Sequence, residues 1–157
     1  MSHVVDVETI GVRAPLARRR VAEIARAVLR AEKVRRARLS IALVDDARIA
    51  RLTRRHLGHG GPTDVISFAL ADDAAQGLVG DIYIAPNVAR RNAAEQGISA
   101  GDELTRLVVH GVLHVVGYDH PEGADRYQSA MWARQERLVR TIVRRATVSR
   151  TRPRSAA

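Results

Sequence analysis

The sequence predicts an α+β fold, in which a small mixed β-sheet of about four strands carries helices packed over it. Short segments with alternating apolar and polar residues indicate strands, and longer segments with apolar residues three or four apart indicate helices. Their order is strand, helix, strand, helix, strand, strand and then helices. One of the later helices contains closely spaced histidines and an apolar stripe, so we expect that helix to be central and buried.

The individual strands and helices can be placed from local signals. The strands are expected at residues 3–9, 39–43, 64–70 and 78–85. The helices are expected from Pro15 to about residue 32, after Asp45 or Asp46, from Pro86 to Gly97, from Ser99 to Gly117, and over residues 123–146. Residues 1–146 are predicted to form a single domain, because a chain of 157 residues can bury one core. Residues 147–157 combine arginines with a proline and small residues, and are expected to form a basic, disordered tail.

The helix that contains the histidines has recognisable ends and one unusual interior residue. Ser99 and Asp102, three residues apart, form a capping box at its start. Gly117 follows its last apolar turn, and a glycine can end a helix in a left-handed conformation without steric cost. Gly111 lies inside the helix, where a stronger helix former is usual. We therefore predict that a neighbouring strand approaches the helix closely at Gly111.

The composition favours a polyanionic partner. The chain has 26 lysines and arginines against 17 acidic residues, for a net charge of +9, and Lys33 is its single lysine. Arginine can donate two hydrogen bonds to one phosphate and can stack on bases, which suits RNA. A genome rich in arginine codons would produce the same composition, so the charge supports RNA binding without establishing it. Aromatic residues make up only 3% of the chain, which argues against an extensive base-stacking surface.

The sequence also restricts the compartment and the types of metal ligand. The chain has no cysteine, which excludes disulfides and thiolate ligands. Its N-terminal residues lack a basic segment followed by an apolar one, and no apolar run is long enough to span a membrane. We therefore expect a cytoplasmic protein that does not associate with membranes.

Three histidines close together carry the strongest functional signal. His110, His114 and His120 are half of the six histidines and occur in the segment His-Gly-Val-Leu-His-Val-Val-Gly-Tyr-Asp-His. The first two are four residues apart on a helix, so their imidazoles project from one face. A turn at Gly117 lets the chain double back and offer the third imidazole. Three neutral imidazoles with an open fourth position are typical of catalytic zinc, and the sequence predicts one Zn²⁺ per chain.

The same spacing occurs in zinc endopeptidases, which provide an alternative function. Those enzymes carry a glutamate directly after the first histidine, where it takes a proton from the attacking water. Here that position is Gly111, which has no side chain to accept a proton. A zinc metallopeptidase is therefore the less favoured interpretation.

Two further segments accompany the histidines in the same order along the chain as in a known family. Residues 62–68 read Pro-Thr-Asp-Val-Ile-Ser-Phe, and residues 80–84 read Gly-Asp-Ile-Tyr-Ile. Together with the histidine segment they resemble the motifs of the bacterial YbeY family, metal-dependent endoribonucleases that act in ribosomal RNA maturation. The resemblance extends over roughly residues 50 to 140. The histidine segment is the most specific of the three.

The resemblance implies a ligand set, a substrate and a partner. It implies zinc bound by His110, His114 and His120, and cleavage of single-stranded RNA. It further implies processing of the 3′ end of 16S rRNA, within ribosome biogenesis or quality control, and association with the small ribosomal subunit. No DNA partner is expected.

The chain departs from the family pattern shortly before Pro62. The family usually has an aromatic residue followed by an arginine at the positions held here by His56 and Leu57. That arginine is expected to meet substrate phosphate, so its replacement by an apolar residue points to weak or altered nuclease activity. Arg54 and Arg55 are candidate RNA-binding residues nearby, although on a helix they point in other directions than position 57.

The sequence assigns no catalytic residue beyond a water activated by the metal. Asp119 is adjacent to His120 and is a candidate to orient a ligand imidazole, but capping the turn after Gly117 is an equally good role for it. Whether water or a ribose hydroxyl attacks the phosphate stays open. A non-catalytic ribosome-assembly factor with a structural metal is the main alternative to an endoribonuclease, and Leu57 favours it.

Overall fold

The computed structural model has a four-stranded mixed sheet with helices on both faces, which confirms the predicted α+β fold. It describes residues 1–57 and 63–151, without the side chains of Leu57 and residues 149–151. The strands are β1 (Ser2–Ile10), β2 (Arg36–Val44), β3 (Val65–Asp73) and β4 (Gly77–Ile84). The helices are α1 (Arg18–Ala31), α2 (Asp46–Leu57), α3 (Pro86–Gln96), α4 (Ala100–Val116) and α5 (Ala130–Thr151), with a 3₁₀ helix at Gly123–Gln128. None of the described helices is both long and apolar enough to cross a membrane.

The sheet combines parallel and antiparallel pairing in the order β1-β2-β4-β3. β1 with β2 and β2 with β4 are parallel pairs, and each connection crosses over through a helical segment, as parallel pairing requires. β3 and β4 are antiparallel and joined by a tight turn. In that turn the Asp73 carboxylate accepts hydrogen bonds from the backbone amides of Ala75 and Gln76, at 3.0 and 2.8 Å. The chain therefore reverses directly between the two strands that will face the histidine helix.

The alternation of side chains along the strands separates two layers of core. In β2, Leu39, Ile41 and Leu43 are fully buried on the face covered by α1, α4 and α5. Ala42 and Val44 point to the other face, where Ile49 of α2 packs. The larger core thus lies between the sheet and the layer that contains α4.

α4 is the central helix, as predicted, and it contacts α1, α3, α5, β3 and β4. Its closest approach to the sheet is at Gly111. A Cβ built on Gly111 would lie 2.7 Å from Cγ2 of Ile82 and 3.3 Å from both Oγ of Ser67 and Cγ2 of Val65. The hydroxyl of Ser67 donates a hydrogen bond to the Gly111 carbonyl at 3.1 Å. The prediction of close strand approach at Gly111 is therefore confirmed.

The ends of α4 also follow the predicted signals. Oγ of Ser99 accepts a hydrogen bond from the backbone amide of Asp102 at 3.1 Å, which caps the helix. Gly117 ends it with φ +126°, a conformation that favours glycine, and its amide bonds to the carbonyls of Leu113 and His114.

Three of the predicted helix boundaries were wrong. α1 begins at Arg18, three residues after Pro15. The helix expected over residues 123–146 is two helices, because Ser129 interrupts it and caps α5 by accepting from the amide of Trp132 at 3.1 Å. The last helix was expected to end at residue 146, but α5 continues to Thr151. Residues 152–157 lie outside the described part of the chain, so a disordered tail there stays a prediction.

We expect Gly111→Ala to destabilise the fold by about 1–3 kcal/mol, because the added methyl collides with a buried β-branched side chain that cannot rotate away. Gly101→Ala on the same helix is the matched control, since its Cβ would meet only the flexible end of Leu16 at 3.2 Å. Urea unfolding of the two variants and the parent measures the difference. Equal stabilities for the two variants would contradict the packing role of Gly111.

Candidate metal centre

The structure brings the three predicted histidines together. His110 and His114 project from α4, and His120 follows the turn at Gly117. The ring centroids are 4.6 Å apart for His110 and His114, 5.1 Å for His110 and His120, and 5.0 Å for His114 and His120. One ligand atom from each histidine lies within 4.8 Å of the other two, and all three side chains are half-buried. All three imidazoles can therefore reach a single ion.

In each of the three imidazoles, Nδ1 is hydrogen-bonded to an oxygen atom. Nδ1 of His114 lies 3.1 Å from the Tyr118 carbonyl oxygen, and Nδ1 of His120 lies 2.9 Å from that of Pro121. A carbonyl oxygen only accepts hydrogen bonds, so Nδ1 carries the proton in each ring. Nε2 is then unprotonated in the neutral imidazole and is the nitrogen available to a metal.

His110 is oriented by a side chain instead of a carbonyl. Its Nδ1 lies 2.7 Å from Oε1 of Gln135 on α5, a side chain that is only 1% exposed. The Gln135 amide nitrogen faces Oε1 of Glu136 at 3.3 Å. A carboxylate accepts and never donates, which places the NH₂ group on the Glu136 side and the amide oxygen toward His110. Gln135 therefore sets the same tautomer in His110 that the carbonyls set in the other two histidines.

A charged network holds Gln135 and α5 against α4. The Arg106 guanidinium donates to both carboxylate oxygens of Glu136, at 2.8 and 3.2 Å, and to Glu103 at 2.8 Å. Burial raises the pKa of Glu103, and the hydrogen bond and charge of Arg106 oppose that shift. The network ties the first turns of α4 to the segment of α5 that orients His110.

Burial keeps the histidines in the state that metals require. It lowers the pKa of His110, and together with the neighbouring His110 and His120 it lowers the pKa of His114 to about 4. Both imidazoles are therefore neutral at pH 7, with their lone pairs available. Three convergent imidazoles with fixed tautomers fit zinc, a borderline-soft ion that binds nitrogen readily.

Asp119 lies beside the centre, and its carboxylate accepts a hydrogen bond from the backbone. Its Oδ1 accepts from the amide of His120 at 2.8 Å, so it fixes the turn after Gly117. This contact corresponds to the capping role, one of the two roles predicted for Asp119. Each of the three Nδ1 atoms is paired with an oxygen from another residue.

The predicted RNA-binding arginines lie on α2, which packs on the opposite face of the sheet from α4. Both are exposed, and Arg55 lines a shallow groove with Ile10 and Tyr83. RNA contact by Arg54 and Arg55 stays a prediction. The side chain of Leu57, the residue in place of the family arginine, and all of Pro62 lie outside the described residues.

A cavity of about 500 Å³ opens beside His110. Its walls come from α3, α4, α5, the 3₁₀ helix and the segment before β3. They include Asp64. Burial raises the pKa of its carboxyl group, and Arg126 and His120 offset only part of this rise. The centre therefore has an adjoining space into which part of a substrate could extend.

Comparison with known proteins identifies the family. The profile of the family described as Endoribonuclease YbeY matches residues 6–143, most of the chain. The chain belongs to the YbeY family. A protein named Endoribonuclease YbeY from Frankia alni is 41% identical over 132 residues, which cover 76% of this chain and 72% of that protein. One of the same name from Micrococcus luteus is 39% identical over 117 residues, covering 70% and 73% of the two chains.

A solved structure supports the fold of this YbeY family member. The solution structure of a Thermotoga maritima protein superimposes with a TM-score of 0.62, at 22% sequence identity. The match covers 98% of this chain and all of that one. At this level of identity the likeness concerns the fold alone.

Sequence inspection missed Gln135 as the residue that orients His110. A signal was present, because Gln135 interrupts the apolar stripe of α5 that contains Met131, Leu138 and Ile142. A polar residue in a buried stripe needs a partner, and that partner lies 25 positions earlier in the sequence. No comparable pattern in the sequence indicated the hydrogen-bonded network of Arg106, Glu103, Glu136 and Gln135.

Replacing His114 by alanine should abolish tight zinc binding, because only two of the three imidazoles remain. The measurement is zinc content per chain after dialysis against a weak chelator. His56→Ala is the control, since it removes an exposed histidine of α2 that is not part of the triad. Unchanged zinc content in His114→Ala would contradict the three-ligand assignment.

Gln135→Met should weaken zinc binding by about 10–100-fold, because it keeps the volume of the side chain and removes the acceptor that orients His110. Gln128→Met makes the same change at an exposed position of the 3₁₀ helix. Competition against a chromophoric chelator gives both dissociation constants. Equal zinc affinity for the two variants would show that the amide does not tune the centre.

Proposed function

We propose that this YbeY family member is a zinc-dependent, single-strand-specific endoribonuclease of the cytoplasm. Its role is maturation of ribosomal RNA, including the 3′ end of 16S rRNA, within ribosome biogenesis or quality control. The observation that carries the proposal is the convergence of three imidazoles with fixed tautomers beside a cavity. Membership of a family of endoribonucleases supports RNA cleavage as the chemistry.

The three histidines would hold the zinc through Nε2. When bound there, zinc supplies a Lewis acid that polarises a phosphoryl oxygen and acidifies water. The protein contributes the fixed orientation of the ligands, through Gln135 and the carbonyls of Tyr118 and Pro121. Preorganised ligands need no rearrangement when the substrate arrives, and this favours charge stabilisation in the transition state.

Asp64 is the residue we assign to proton transfer at the centre. It lines the same cavity as His110, and its carboxylate interacts with the charge of Arg126. Burial raises its pKa above the ordinary carboxylate value, which makes it a better proton acceptor than an exposed carboxylate. The acceptor can serve either an attacking water or a ribose hydroxyl.

Charge and exposure support an RNA substrate and a ribosomal partner. The net charge of +9 attracts polyanions at long range, and many of the described arginines are exposed on helices, as Arg54, Arg55 and Arg137 are. Ribosomal RNA on the small ribosomal subunit presents the phosphate density that such a surface would bind.

The two alternative functions, a metallopeptidase and a ribosome-assembly factor, differ in how well they fit the structure. A peptidase would need a proton acceptor at position 111, and the contact of Gly111 with Ile82 leaves no room for a side chain there. An assembly factor with a structural metal would use the same three ligands without cleaving RNA. The substitution of Leu57 for the family arginine is the observation that favours the assembly factor.

Zinc-loaded protein should cleave labelled single-stranded RNA, and His114→Ala purified in the same way should not. Electrophoresis of the products measures cleavage, and a terminal cyclic phosphate on them would assign attack to the ribose hydroxyl. His56→Ala should retain parental activity. Equal cleavage by the parent and His114→Ala would indicate a contaminating nuclease, and absence of cleavage in both would favour the assembly factor.

A further inference from the structure

One wall of the cavity beside His110 is aromatic. The residues that form this wall, Arg126, Tyr127 and Trp132, line the same cavity as His110. The chain has only five aromatic residues, one tryptophan, three tyrosines and one phenylalanine. Two of these five meet at this wall, beside the metal centre and apart from the core. Such a concentration in an aromatic-poor chain calls for a ligand with an apolar face.

The three side chains form a layered cluster. The rings of Tyr127 and Trp132 pack edge to face, with centroids 4.7 Å apart at 83°. The Arg126 guanidinium lies 5.0 Å from the centroid of the Tyr127 ring and donates a hydrogen bond to its hydroxyl at 3.0 Å. Tyr127 is 52% exposed and Trp132 is half-buried. The cluster thus leaves part of an aromatic surface open to a flat ligand.

The charges that line the cavity indicate which part of a nucleotide it would bind, the base or the phosphate. Three carboxylates line it, those of Asp64, Glu103 and Glu136, against two guanidinium groups. The Arg106 guanidinium is already paired with Glu103 and Glu136, and only that of Arg126 is at the aromatic wall. A phosphate placed inside would face these carboxylates at short range. A neutral heteroaromatic base meets no such repulsion, and carboxylate or amide oxygens can accept hydrogen bonds from its amino edge. Asn92 and Gln96 supply further amide groups on the α3 side.

We propose that Tyr127 and Trp132 form a base-stacking subsite that takes one unpaired nucleobase of an RNA strand adjoining the metal centre. The proposal rests on the proposed function and specifies where selectivity for single strands arises. A base in a duplex is stacked on both faces and cannot enter the cavity, whereas a base in a single strand can turn out and stack on protein rings. Its phosphate lies toward the histidines.

Trp132 reports on this subsite directly because it is the only tryptophan of the chain. We would titrate the zinc-loaded protein with adenosine monophosphate and, separately, with ribose 5-phosphate, and record tryptophan fluorescence. Neither compound contains a bond that an endonuclease cleaves. Saturable quenching by adenosine monophosphate alone is the expected result. Equal responses to the two compounds, or no response to either, would overturn the proposal.

Variants of Tyr127 provide the second measurement. Tyr127→Ala should weaken adenosine monophosphate binding and raise the KM for single-stranded RNA, each by about 10-fold, the range of one base–aromatic stack. Tyr127→Phe keeps the ring and loses only the hydroxyl bonded to Arg126, so its values should stay within about twofold of the parent. Thermal unfolding of both variants checks that the fold persists. A parental KM in Tyr127→Ala would overturn the proposal.

Failure of the subsite and failure of the proposed function give different results. Base-dependent quenching in a protein that cleaves no RNA would refute the nuclease activity and support the subsite. Cleavage with the same KM for the parent, Tyr127→Ala and Tyr127→Phe would support the nuclease activity and refute the subsite.

Discussion

The close approach of α4 to the β-hairpin at Gly111 determines where the metal centre lies. His110 and His114 flank this glycine, so their distance from the sheet is set by a contact in which the helix backbone lies directly on strand side chains, with no helix side chain between them. The hydroxyl of Ser67 fixes the same point by bonding to the Gly111 carbonyl. A helix packed this tightly cannot shift without opening the core around Ile82, and a metal site needs that rigidity. The absence of a glutamate at position 111 is thus a packing requirement as well as a chemical feature.

The electrostatic design of the centre differs from that of the whole chain. The net charge of +9 comes from arginines, and most of those whose side chains the structure describes are exposed. Around His110, in contrast, Arg106 is paired with Glu103 and Glu136, and burial keeps His110 and His114 neutral. The long-range field can therefore attract a polyanion, while the immediate surroundings of the ligands remain neutral enough for their lone pairs to face a cation.

The sequence predicted what local rules determine and missed what depends on distant partners. Alternation placed four strands, and spacing placed His110, His114 and His120 around one point, because both follow from fixed helix and strand geometry. The role of Gly111 was predictable because glycine is unfavourable inside a helix, and close approach of a neighbouring strand explains why it is there. The bond between Gln135 and His110 was not, because it requires knowledge of how α5 lies on α4. The interruption at Ser129 was missed because the apolar spacing alone gives no sign of a capping serine.

The hydrogen bonds of Tyr118 explain how His120, outside any helix, is held in place. The turn after Gly117 contains Tyr118, whose carbonyl accepts from His114 and whose hydroxyl donates to Glu32 at 2.9 Å. The same Glu32 carboxylate accepts from Arg134 of α5 at 2.6 Å. The hydrogen bond from the Tyr118 hydroxyl to Glu32 raises the pKa of that hydroxyl, so the hydroxyl stays protonated and continues to donate. The turn is therefore tied to the residue that follows α1 and to α5, and the third ligand depends on packing between elements about 100 residues apart.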